Sequence, residues 1–557
     1  MSSTRNNLQR DAGSTATATG PASELRRYRW RARLGAVALA LAVLPLPGCA
    51  VGPNFVSPEA PQEAGYSAGK DPGATQSAPV AGGASQRLAL GRDIPGEWWR
   101  LFRSKQISAL VAEAVQNHPD IDAAEAALRQ AREIAEADAA SFLPQASASI
   151  GATRQQISTA QFGGFSTSSS ATSASSEALR FSLYNTNVGV SFTPDVFGKT
   201  ARTVEGDLAA AEQRRFQLEA TYLTLTANVV SAAIADASYA SQIKVTRDLI
   251  AAYQAQLDLL QKRFELGAVA LADVVSERAL LAQAQATLPP LEKARAQMRD
   301  QLMAYLGRFP NADRGEAVDL EGLHLPRELP LSLPSNLVRQ RPDIRSAESQ
   351  LHQASANVGV ATANMLPQLT LSASGGSQAP SFAQLITPQT AVYNLGASVA
   401  GQAFDGGALF HKREANIASL EQATAQYRST VINAFQNVAD ALKAVKHDAE
   451  TLRAQVAAEK AAAESLAIVQ NQYSGGSTTY ATVLNAEQTL LNARINRVRA
   501  QAARFSDSTA LLQALGGGWW NRVDETPASQ PKPTDLIATS PIAAGLRAVM
   551  EDAENAR

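Results

Sequence analysis

Cys49 is the only thiol in 557 residues, and it stands in the stretch Leu46-Pro47-Gly48-Cys49. A lone cysteine cannot close a disulfide within its own chain, and Pro45 and Pro47 argue against the alternative, a stray core cysteine in a buried helix. The five histidines, His118, His324, His352, His411 and His447, fall at no ligand spacing, which argues against a metal site. There is no Gly-x-Ser-x-Gly elbow, no phosphate-binding loop and no Cys–His arrangement. Neighbouring carboxylates such as Glu133 and Glu136 lie in alanine-rich helical sequence and read as a solvated face. These residues predict no enzyme and no cofactor.

What precedes Cys49 explains it. Arg26, Arg27, Arg29, Arg31 and Arg33 form a basic cluster, and an apolar run follows from Leu34 to Leu46. Positive flank, short apolar core and small residues before a cut site is the order of a secretory signal. The run is too short to cross a hydrocarbon core of ~30 Å. Leu46-Pro47-Gly48-Cys49 resembles a bacterial lipoprotein box, which implies a signal peptide over residues 1–48 and lipid on Cys49. Residue 50 is alanine rather than the aspartate that retains lipoproteins at the inner membrane, so the resemblance implies the outer membrane. Stable anchoring needs more than one acyl chain, at ~0.8 kcal/mol per buried CH2.

Without residues 1–48 the chain keeps 43 basic and 49 acidic side chains, a net charge of −6. That balance gives no support for binding nucleic acid, which needs a basic face. After Cys49 no stretch reaches 18 consecutive apolar residues, so no membrane-spanning helix is expected.

The chain says everything twice. "HPDIDAAEAALRQA" from His118 matches "RPDIRSAESQLHQA" from Arg341, and the register holds to Ser141–Gln145 and Asn364–Gln368, a constant offset of 223. Val188–Gly198 answers Leu395–Gly406, Arg263–Val275 answers Gln472–Leu484, and Leu306-Gly307 answers Leu515-Gly516. Four landmarks in one order predict two copies of one unit.

Each copy has one plan. Helices are expected from about Asp120 to Ser141 and from Asp343 to Asn364, ended by Pro144 and Pro367. Period-two alternation follows at Ala146, Ala148 and Ile150, and at Leu369, Leu371 and Ala373, the mark of strands with two different faces. Exposed loops are expected at Gln155–Glu177 and Gly375–Pro388. Second strands return at Val188/Val190/Phe192 and Leu395/Ala397/Val399. Two very long helices are then predicted, Asp207–Leu266 and Ala408–Ser474, each ~90–100 Å. Ile243, Ile250, Leu257 and Phe264, with Tyr253 and Leu260 between them, read as a coiled-coil seam. Turns at Gly267 and at Gly475-Gly476 lead into last helices, about Ala270–Leu306 and Thr479–Leu515, and Pro289-Pro290 is expected to kink or break the first.

Four strands cannot close a barrel, and an open sheet in lipid leaves edge groups unpaired at several kcal/mol each. If these strands enter a membrane, two, three or four chains must share a barrel of 8, 12 or 16 strands. The alternative is a small soluble sheet beside a helical bundle.

"GCAVGPNF" from Gly48, "WWRLFRSKQISALVAEAVQNHPDI" from Trp98, "RQRPDIR" from Arg339, "AFDGG" at Ala403–Gly407 and "LLQALGGGWW" at Leu511–Trp520 together resemble the TolC-like outer-membrane efflux factors, in the NodT/OprM-type lipoprotein branch of tripartite resistance-nodulation-division systems. The resemblance implies α plus transmembrane β architecture: an internally duplicated homotrimer, a 12-stranded outer-membrane β-barrel continued by a long periplasmic α-helical barrel, with an equatorial belt including Ser104–Asn117. Its segments would be a lipidated extended stretch at 49–97, repeats at 98–310 and 335–520, a linker at 311–334 and a flexible tail at 521–557. It implies an exit duct for small molecules, powered by an inner-membrane pump and joined to it by a periplasmic adaptor. It also places the periplasmic aperture at Tyr473, Ala481, Thr482 and Asn485. Asp273, counterpart of Thr482 in the first copy, keeps a carboxylate nearby. Asn485 stands where relatives have aspartate, which implies weaker cation selectivity. Two other functions remain open at this stage: a lipid-anchored periplasmic scaffold or adaptor, and the same duct exporting a protein or oligosaccharide.

Overall fold

Period-two sequence becomes a sheet with two faces. The computed structural model describes residues 50–61, 65–66, 73–157 and 179–522. The described elements in chain order are β1 (Arg87–Leu90), α1 (Lys105–Asn117), α2 (Pro119–Ala139), β2 (Gln145–Ile157), β3 (Leu179–Phe192), α3 (Lys199–Glu265) and α4 (Leu271–Tyr305). Then come β4 (Glu328–Leu331), α5 (Pro334–Gln340), α6 (Pro342–Ala363), β5 (Gln368–Ala379), β6 (Ala391–Ala400), α7 (Ala408–Ser474) and α8 (Tyr480–Ala514). The strands β2-β3-β5-β6 form one antiparallel sheet in that order.

Directly paired residues share a face. Ala148 pairs with Val188, Val190 with Ala373, Leu371 with Ala397 and Ala373 with Leu395, so one face is apolar over the half of the sheet nearer the rods. Ser147 pairs with Gly189, Ser191 with Ser372 and Ser374 with Asn394, so the other is small and polar. Among the described residues the outer strands β2 and β6 have no partner on their far sides, and Leu395 and Val399 stand 75% and 72% exposed.

Two loops are shorter than the sequence predicts. β2 runs on to Ile157, and residues 158–178 lie outside the described part. β5 continues through Gly375 and Gly376 to Ala379. The reason is a close approach rather than a turn: a Cβ at Gly376 would lie 1.9 Å from the carbonyl oxygen of Thr186 on β3.

The rods α3 and α7 are each 67 residues, about 100 Å long. α3 starts eight residues before the expected Asp207 and holds Gly206 inside it. Both begin at a left-handed glycine, Gly198 (φ 76°) and Gly407 (φ 89°), after an aspartate whose carboxylate accepts from the first turn. Asp195 accepts from the Ala201 amide at 2.7 Å, and Asp405 from those of Leu409 and Gly407 at 2.7 and 2.8 Å. Both rods end in the same left-handed glycine cap: Ala268 donates to the Arg263 carbonyl and Ser477 to that of Gln472, past Gly267 (φ 73°) and Gly476 (φ 74°). A window of α3 is apolar and long enough to cross a membrane, but more than half of it is packed inside the protein.

α4 is one uninterrupted helix, so Pro289-Pro290 does not break it. Both prolines are exposed, as are Gln285 and Ala286, the residues one turn back whose carbonyls lose the donor that proline lacks. Beyond them Arg295 and Arg299 bind Asp236 of α3 at 3.0 and 3.3 Å and hold the helix to its neighbour. The seam on α3 also differs from expectation. Ile243, Thr246, Tyr253, Leu257 and Leu260 are buried and Ile250 half-buried, but Phe264 is 41% exposed and lies outside the apolar cluster that Ile250, Tyr253, Leu257 and Leu260 join.

The main core lies at mid-length of the rods. Trp98, Trp99 and Phe102 of one 3-10 turn pack with Ile107 of α1, Ile234 of α3, Leu302 of α4 and Phe505 of α8. Residues read as extended segment and linker both contribute a strand: β1 and β4 pair in parallel, Arg87 opposite Glu328. Asn521 and Arg522, assigned to the tail, are docked, with Arg522 on Glu219 at 3.0 Å and over the Tyr222 ring at 3.9 Å.

Candidate functional site

Two ends of the rods carry the predicted sites. At the sheet end, Cys49 lies outside the described residues, but its neighbour is placed. A Cβ on Gly198, between β3 and α3, would lie 2.5 Å from Cα of Ala50. The Val51 amide donates to Phe197 O at 3.2 Å, and Arg202 binds Val51 O at 3.3 Å and Asn54 Oδ1 at 2.6 Å. Gly52 (φ 94°) fits so closely on Gly359 of α6 that its Cβ would come within 2.5 Å of Cα. Phe55 then stacks on His352 at 4.3 Å, and His352 Nε2 lies 3.0 Å from Glu205. The segment following Cys49 is thus fastened to the junction where strands become helices.

At the far end, the glycine caps fold the two hairpins back and α4 and α8 begin side by side in one cluster. Tyr473, before the second turn, is half-buried with its ring 5.2 Å from that of Tyr480. Burial pushes the Tyr473 phenol up, the charge of Asp273 adds to this, and Arg263 opposes it. Asp273 sits in the first turn of α4, where the helix dipole favours a carboxylate. The structure therefore brings Tyr473 and Asp273, from different repeats, into electrostatic contact.

Ala481, Thr482 and Asn485 are placed apart from that pair, on the exposed face of α8. The Thr482 hydroxyl lies 3.2 Å from those of Thr478 and Thr479, and the Asn485 carbonyl accepts from Thr489 at 2.7 Å. The opposite face of the same turns is buried: Tyr480, Val483, Glu487 and Leu490.

Sequence reasoning missed that buried face. Tyr480 donates to Glu277 Oε2 at 2.6 Å, Glu277 is fully buried, and Glu487 is 7% exposed. The signal was present: Val274, Glu277, Leu281 and Ala284, and Tyr480, Val483, Glu487 and Leu490, each repeat at steps of three and four. A glutamate at such a position is a buried carboxylate rather than a solvated one. Among the described residues no three His, Cys, Asp or Glu side chains gather as a metal site.

The family model described as outer membrane efflux protein matches residues 110–308 and 333–517, one block for each repeat. The pyoverdine export outer membrane protein OpmQ of Pseudomonas putida is 28% identical over 451 residues, covering 79% of this chain and 92% of that protein. The probable efflux pump outer membrane protein TtgC of the same species is 27% identical over 485 residues, covering 86% and 95%. The solved Campylobacter jejuni CmeC outer membrane channel has the same fold, with a TM-score of 0.72 at 20% identity over 86% of this chain and 96% of that one. With a two-faced sheet at one end and paired helical hairpins at the other, the chain belongs to the outer membrane efflux protein family and is an efflux duct of the outer membrane.

Proposed function

We propose that three copies of this chain form the duct, sharing one 12-stranded barrel, and that it passively conducts small molecules delivered by an inner-membrane pump through a periplasmic adaptor. The observation that carries this is the open sheet: one apolar face, one polar face and two unpartnered edges, continuous with rods of about 100 Å. Four strands in lipid are untenable alone, and pairing β6 of one copy with β2 of the next removes every edge. Electron microscopy of the detergent-purified mature protein tests it. A threefold hollow tube well over ~100 Å long is the expected image; monomeric rods would overturn the duct in favour of a periplasmic scaffold.

Lipid on Cys49 completes the anchor. Ala50 against Gly198 supports this, since Gly198 stands where β3 gives way to α3 at the sheet end of the rods. Mass spectrometry of the mature N-terminus should find an acylated cysteine, and an unmodified Cys49 would exclude it.

Ala481, Thr482 and Asn485 line the periplasmic aperture, with Tyr473 and Asp273 behind them. A neutral ring lacks the attraction for cations that three close carboxylates exert. Asn485→Asp should raise cation selectivity, read as a shifted reversal potential in a salt gradient; an unchanged potential means that Asn485 only packs the turn.

A further inference from the structure

Among the described residues no basic group pairs with the buried carboxylates at the hairpin junction. Glu277 Oε2 accepts from Tyr480, but Glu277 Oε1, Glu487 Oε2 and the Tyr253 hydroxyl are buried without a hydrogen-bond partner. The facing groups come from four helices: Tyr253 and Gln256 from α3, Glu277 from α4, Gln470 from α7, and Tyr480, Glu487 and Arg494 from α8. Asp273, Arg263 and Tyr473 stand nearer the turns. Arg494 is the basic group that acts on this cluster, through Tyr253; it is 41% exposed and turned to Glu459 at 3.6 Å.

Two carboxylates cannot both stay charged in such a site without a partner. We infer that the Glu277–Tyr480–Glu487 junction is a proton-operated latch, which ties the first repeat's hairpin to the second's while it holds a proton and releases it when both carboxyls ionise. The inference rests on reading this end as the duct's aperture. Burial pushes Glu487 up to about 7, the charge of Glu277 adds to this, and Gln470 opposes it. Burial raises Glu277 too, against the pull of the Tyr480 hydrogen bond. Splaying the hairpins would hydrate both groups, and a hydrated glutamate ionises near ~4.3. The packed state therefore binds more protons than the splayed one. Its advantage is complete below the hydrated value and is lost as pH rises through about 7.

The test is conductance of the purified full-length protein in planar bilayers from pH 5.5 to 8.5, beside hydrogen exchange of residues 253–260 and 480–490, corrected for intrinsic rates. Wild type should open more as pH rises, by up to about tenfold per pH unit for each proton released, with exchange rising in parallel. The near-isosteric Glu487→Gln should stay on the closed side with both profiles flat, while Tyr480→Phe, which leaves both carboxyls, should move the midpoint without abolishing the slope. A flat wild-type profile in both readouts, or an unchanged slope in Glu487→Gln, overturns the latch. Pore activity absent at every pH, with pH-dependent exchange intact, would remove the duct reading and keep the latch.

Discussion

α3 and α7 are the same length, begin at the same kind of glycine and end in the same cap, yet they live in different surroundings. α3 buries 26 residues within its own chain; α7 buries 10. Both rods enter the core formed with Trp99, Leu302 and Val498, α7 through Val438, Ala441, Leu442 and Val445, but α7 leaves Phe410, Ile432 and Ile468 between half and two-thirds exposed. The second strand of each repeat shows the same contrast, since β3 lies inside the sheet and β6 is exposed along its whole length, while the first strands reverse it, with β2 at an edge and β5 inside. Duplication thus produced one rod that a single chain can cover and another that needs neighbours. A helix this long is not held by propensity, so the uncovered face of α7 is where the proposed trimer must close.

The largest effect should come from the covered rod. Asp236 is 3% exposed and holds both Arg295 and Arg299. Asp236→Ala takes the buried carboxylate from Arg295 and leaves Arg299 with Asp313 as its only carboxylate, and a loss of about 3–5 kcal/mol is expected, read as a lowered thermal midpoint. Full stability in this variant would mean that α3 and α4 are not clamped there.

Next is the lipid face of the exposed strand. Leu395→Arg on β6 should cost about 2–4 kcal/mol in the membrane and deplete the protein from outer-membrane fractions. Ser398→Arg, on the opposite face, should assemble normally and alter ion selectivity alone. Equal behaviour of the two would undo the assignment of the faces.

Smaller still is the flank of α7. Ile432→Ala should remove about 1.5–3 kcal/mol of burial per copy from the trimer while leaving the isolated chain's melting unchanged. Light scattering on dilution in detergent would detect earlier dissociation. A weakened monomer with an intact trimer would reverse the comparison.

The duplication, the rods, the faces of the strands and the glycine turns were all legible in the sequence. Each is a local pattern repeated at a fixed period, and Asp405 with Gly407 specifies a helix start whatever lies around it. The hairpin end was legible only in part. The charge of Asp273 reaches Tyr473 across the two repeats, but Glu277 and Glu487 are buried because helices from both repeats close over them, and no short window of residues contains that fact. Tertiary structure alone decided that β1 pairs with β4, four residues each from distant segments, because strands so short carry no period to read. It also decided that Gly376 stays in a strand, because the backbone of β3 passes where a side chain would be, and that Pro289-Pro290 leaves α4 whole, because both rings face water while Asp236 secures the helix beyond. Periodicity is set by neighbours along the chain, whereas burial is set by neighbours in space.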